Sequence, residues 1–104
     1  MASARTELER YLLDIPGLVR GRSRYGHGPS YFVGGLEVAH FHGDERMDVR
    51  LTRELIRERK SEGEFDGRVR TRGPSADWVE VQVAGVQDIP LAVSLVEAAV
   101  HANS

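Results

Sequence analysis

Along this chain the spacing of hydrophobic positions changes several times, and each change marks an element. Leu8, Tyr11, Leu12 and Ile15 fall at i, i+3, i+4 and i+7, the spacing of one helical face. Thr6 with Glu9 three residues on has the form of a capping box that opens this helix. Pro16-Gly17 stops it, because proline cannot continue the hydrogen-bond ladder and glycine tolerates the reversal. From Leu18 the period drops to two. Arg20, Arg22 and Arg24 alternate with Val19, Gly21, Ser23 and Tyr25, which predicts a strand with its arginines on one face. Gly26-His27-Gly28-Pro29 reads as a turn, 30–33 as a short strand, and Gly34-Gly35 as the dipeptide that primed hairpin turns favour. The next strand covers 36–42. After a turn at Gly43-Asp44-Glu45-Arg46, Met47, Val49 and Leu51 alternate with Asp48 and Arg50 as the fourth strand of an antiparallel meander.

The period then lengthens again. Thr52 has the character of a helix N-cap, and Leu51 with Ile56 has the spacing of a hydrophobic staple, so a second, thinly apolar helix is expected over roughly 53–62 with Gly63 as its stop. Arg68, Arg70 and Arg72 alternate within a Gly- and Pro-containing stretch and predict a short edge strand. Val79, Val81 and Val83 share one face of a stronger strand, with Trp78, Glu80 and Gln82 on the other. Asp88 caps a closing helix with Pro90 in its first turn, and Ile89, Ala92, Val93, Val96, Ala99 and Val100 trace its buried face. The order α-β-β-β-β-α-β-β-α predicts an α+β fold, an antiparallel sheet of about five to six strands with helices packed on one face. A length of 104 residues fits one domain over 1–104.

Composition narrows the chemistry. Cysteine is absent, which removes disulfides, thiolate metal sites and cysteine nucleophiles together. No apolar run is long enough to span a membrane and the first ten residues lack a secretion signal, so a cytoplasmic protein without a membrane partner is the expectation. The net charge of −2 argues against a basic nucleic-acid binder.

His40-Phe41-His42-Gly43-Asp44 is the clearest chemical signal. Side chains at i and i+2 of a strand project from the same face, so both imidazoles leave it together. Asp48, on the neighbouring strand, stands where it can orient one of them, and the candidate ligand-binding set is His40, His42, Asp44, Asp48 and Arg50, with His27 beside it. Imidazoles that titrate near working pH serve as ligand donors or general bases. Three readings follow. The first is a module that binds a small molecule or a protein at this cluster. The second is a small enzyme, with or without zinc, using His40 and His42 with Asp44 and Asp48. The third, weaker, is nucleic-acid binding through the arginine strands, with Arg20, Arg22 and Arg24 meeting Arg68, Arg70 and Arg72 or Arg50. Phe32 and Trp78 are expected in the core.

The stretch from Phe32 through Gly34-Gly35, Ala39-His40-Phe41-His42 and Arg50-Leu51, followed by Trp78-Val79-Glu80-Val81 and a closing helix, resembles the luciferase domain family of small bacterial and fungal proteins. The resemblance runs from about Ile15 to His101 and implies a single α+β domain. The chain carries neither a Gly-x-x-x-x-Gly-Lys phosphate loop nor a dinucleotide fingerprint, so no cofactor is named for it.

Overall fold

Hairpins build most of the sheet. The computed structural model describes residues 3–22, 29–43, 45–73 and 76–103. Helix α1 (Ala4–Leu12) leads into strands β1 (Val19–Arg22), β2 (Pro29–Val33), β3 (Leu36–Phe41) and β4 (Arg46–Arg50); helix α2 (Arg53–Ser61) precedes β5 (Val69–Thr71) and β6 (Trp78–Gln82), and a 3-10 turn (Val86–Asp88) runs into α3 (Ile89–Asn103). The six strands lie in the order β1-β2-β3-β4-β6-β5, every neighbour antiparallel. Gly34 and Gly35 both take positive φ, 56° and 84°, as a two-residue hairpin loop requires of its central residues. The α+β order read from the sequence is the order of the chain.

One face of the sheet is sealed. Tyr31, Ala39, Phe41, Met47, Val49, Val79 and Val81 are buried there, beneath α3, which crosses β3 and β4 and packs beside α1. Tyr31 and Phe41 meet edge to face with ring centroids 6.0 Å apart. The Tyr31 hydroxyl donates to Glu9 of α1. Burial, then the Glu9 carboxylate, pushes the Tyr31 phenol well above its ordinary range. Helix α2 shares a shallow depression with Thr71 and Gly73 and contributes Ile56 to the core.

Several local expectations need correcting. Helix α1 begins before Thr6: Ser3 is the N-cap, and its hydroxyl accepts from the Thr6 N–H at 3.2 Å. The helix ends at Leu12, and Ile15 reaches the core from the turn that follows. Tyr11 is 53% exposed, because a helix this short meets its neighbours through Leu8 and Leu12, one turn apart. Asp88 does not cap α3; its carboxylate turns back to accept from the Ala84 and Gly85 N–H groups and from Arg68. Leu95 is a buried residue of α3, whereas Val93 and Val100 are only partly buried.

The arginine strands do not meet, since β1 and β5 are the two opposite edges of the sheet. Arg20 instead reaches across to Glu9 at 3.2 Å on the helix-covered side. Phe32 and Trp78 are not core residues but half-buried groups on the other face, because their strands alternate with Tyr31 and Val79 pointing inward. The Phe32 ring occupies the space a side chain on Gly21 would need, where an added Cβ would lie 2.8 Å from it.

Candidate functional site on the polar sheet face

Register brings the polar residues of five strands into one line. Ser30 pairs with His40, His40 with Asp48, Asp48 with Glu80, and Glu80 with Arg70, so these side chains stand side by side across β2, β3, β4, β6 and β5. They occupy the face opposite α1 and α3. A regular strand would turn Glu37 away from His40, three residues on. The irregularity where β2 meets β3 pairs Glu37 with Phe32 and resets the alternation. The Glu37 carboxylate thereby stands 4.0 Å from His40 Nδ1.

Asp48 is the hub. Its Oδ2 accepts from His40 Nε2 at 2.9 Å and lies 3.5 Å from both His42 Nδ1 and an Arg72 guanidinium nitrogen. Burial by itself would raise the Asp48 carboxyl, but the His40 bond, the charges of His40 and Arg72 and the His42 bond outweigh it and hold the group below its ordinary value. Trp78 covers His40, ring centroids 5.2 Å apart. Arg72 also bonds Glu80 at 3.1 Å, and Arg46 faces Glu80 from 3.9 Å. His40 and Asp48 are thus almost closed off, while the His42 side chain is 50% exposed and presents the cluster outward.

Among the described residues, three buried polar atoms on this face have no hydrogen-bond partner: Ser30 Oγ, Asp48 Oδ1 and Arg50 Nε. Most buried polar groups in folded proteins are satisfied, so three such atoms on one sheet face are unusual. The face runs into a cleft of about 520 Å³ lined by His42, Arg46, Arg68, Arg70, Glu80 and Gln82, within the size range of small-molecule sites.

Of the candidate residues read from the sequence, His40, His42 and Asp48 come together in direct contact. Arg50 lies two residues along the same face from Asp48, opposite Trp78, and its carbonyl accepts from Asn103. Asp44 and His27 lie outside the described residues, as do Arg24 and Tyr25. Sequence reasoning left Ser30, Glu37, Arg72, Glu80 and Trp78 out of the site. Alternation already placed Trp78 and Glu80 away from the valine face, but the partner strand and its register were needed to bring them to Asp48. Among the described residues, no group of three or more His, Asp or Glu side chains could hold a metal ion, and no helix is long and apolar enough to cross a membrane.

The arrangement defines an α+β domain whose sheet is covered on one side and carries a half-satisfied polar cluster on the other. The family model of the luciferase domain matches residues 35–99, from the hairpin through both histidines and Asp48 to the last helix, and the chain belongs to that family. No curated protein and no solved structure matches it.

Proposed function

We propose that the domain is a ligand-binding module whose site lies on the sheet face opposite α1 and α3, around His40, His42 and Asp48. The observation that carries this reading is the group of orphaned buried atoms, Ser30 Oγ, Asp48 Oδ1 and Arg50 Nε, on the same face as a half-exposed imidazole. A buried donor or acceptor without a partner costs about 1–3 kcal/mol. A polar ligand offering an N–H or O–H to Asp48 and an acceptor to Arg50 offsets that cost. Trp78 adds an aromatic surface beside His40 for the ligand's flatter or apolar part.

The test is a panel of amino acids, nucleosides, sugars and small organic acids added to the full chain, followed by histidine ring and tryptophan indole NMR signals. At least one compound should shift His42 and Trp78 together and saturably, and Asp48→Asn should abolish the shift while leaving the remaining spectrum dispersed. If no compound moves either signal, the reading fails.

A second reading, catalysis on the same face, draws support from the His40–Asp48 bond, because a carboxylate fixes the orientation of an imidazole as general-base chemistry needs. Chemical turnover of a compound that binds, lost in His40→Gln with binding retained, is the expected sign of it. Binding without turnover leaves the module reading alone.

A further inference from the structure

Beyond Asp48 the face opposite α1 and α3 continues into the cleft between the ends of β4, β5 and β6, and the pairing of its charges is uneven. We propose that this cleft is the anion-binding end of the site, taking a phosphate or carboxylate group of the ligand on Arg70 and Arg46. The inference rests on the reading of the face as a ligand site and names the chemistry that one end of it recognises.

Partners decide which guanidinium in the cleft is available. Arg68 is committed: it bonds both oxygens of Asp66, its shortest contact being 2.7 Å, and Asp88 at 3.1 Å. Glu80 stands directly opposite Arg70 in register, yet its carboxylate is bonded to Arg72 at 3.1 Å and faces Arg46 at 3.9 Å. The Arg70 side chain is exposed and makes no hydrogen bond or ion pair among the described residues, and the Arg46 side chain is held there only by that long contact. Two guanidiniums from different strands, with the His42 imidazole beside them, line this cleft.

Arginine forks match the oxygen geometry of phosphate and carboxylate and bind them bidentately. The whole chain carries a net charge of −2, so this gathering of cations is local and does not follow from a basic composition. Glu45 also lines the cleft and repels a second negative group, which favours a small anion over a polyanion such as nucleic acid.

The experiment titrates the full chain with inorganic phosphate, and separately with acetate, against chloride at matched ionic strength. Backbone and arginine Nε–H signals are followed by NMR. Saturable shifts are expected at Arg46, Arg70 and Gln82 with phosphate or acetate and not with chloride. The substitution Arg70→Gln should weaken them about tenfold or more, the effect of losing a hydrogen bond to a charged group, while Arg22→Gln at the opposite edge changes nothing. Response to phosphate alone assigns a phosphoryl end; response to both assigns a site that also accepts carboxylates. Shifts of equal size in chloride, or phosphate shifts that survive Arg70→Gln, overturn the proposal. Should compounds of the panel move His42 and Trp78 while phosphate and acetate leave Arg70 still, the anion end fails and the ligand face stands. Saturation at Arg70 with phosphate or acetate, with His42 and Trp78 unmoved by every compound of the panel, keeps the anion site and removes the wider face.

Discussion

Asp48 is held almost out of water with His40, His42 and Arg72 gathered on a single oxygen, and its protonation therefore reports on the fold. Because the folded group ionises below the ordinary aspartate value, its stabilising contribution is fully present above the unfolded value, about 3.9. It is lost as pH falls through the lower folded value. Chemical denaturation should show stability dropping below about pH 4, with a shallower drop in Asp48→Asn. At neutral pH the same variant should lose roughly 1–3 kcal/mol, since it removes the charged acceptor that the buried His40 Nε2 bonds. Equal acid sensitivity in both proteins would show that other carboxylates govern the transition. That His40 and His42 share a face with Asp48 beside one of them was legible in the sequence, because i and i+2 spacing and a short hairpin fix it locally; that Asp48 meets both was not. Glu37 was not, because a period of two points it away from His40 and only the irregular register between β2 and β3 brings it back.

At the scale of elements, α2 shows how a local signal can carry strain. Thr52 caps the helix through its hydroxyl, which accepts from the Leu55 N–H at 3.4 Å, yet its φ is 82°, unusual for a β-branched residue. Asp77 holds it there: the Asp77 carbonyl accepts from the Leu51 and Thr52 N–H groups, and its carboxylate accepts from Arg53 N–H at 3.0 Å. Thr52→Ala should cost about 1 kcal/mol, losing the cap and keeping the strained backbone, whereas Thr52→Gly should cost only a few tenths. Denaturant midpoints decide the order, and a glycine variant less stable than the alanine one would contradict the strain. The far end of α2 was equally readable. Gly63 at φ 73° closes a Schellman motif, with Gly63 N–H bonded to Lys60 and Glu64 N–H to Arg59. Helix α1 was harder, because Ser3 and Thr6 are both competent caps and propensity does not choose between them. In the folded chain Ser3 is the cap and Thr6 lies in the first turn that it closes.

For the molecule as a whole, the two faces of one sheet should answer differently to substitution. Met47→Ala on the sealed face removes a fully buried side chain and should cost about 2–5 kcal/mol. Arg70→Gln on the open edge should change stability by less than about 0.5 kcal/mol. Urea unfolding of the two variants measures the contrast, and a large loss in Arg70→Gln would make that arginine structural. The alternation of Met47 and Val49, and of Val79 and Val81, put each pair on one face of its strand from sequence alone, since burial of apolar surface acts on each strand separately. The element order, the glycine hairpin and the two histidines on one side were set by the same short-range rules. Tertiary structure decided that β6 inserts between β4 and β5, and that choice aligns Asp48 with Glu80 and Arg70 and sends the two arginine strands to opposite edges. Spacing along a chain constrains neighbours within one strand or hairpin. Which distant strands share a register is settled only when the apolar faces pack together, and the polar cluster on the reverse side is assembled by that packing.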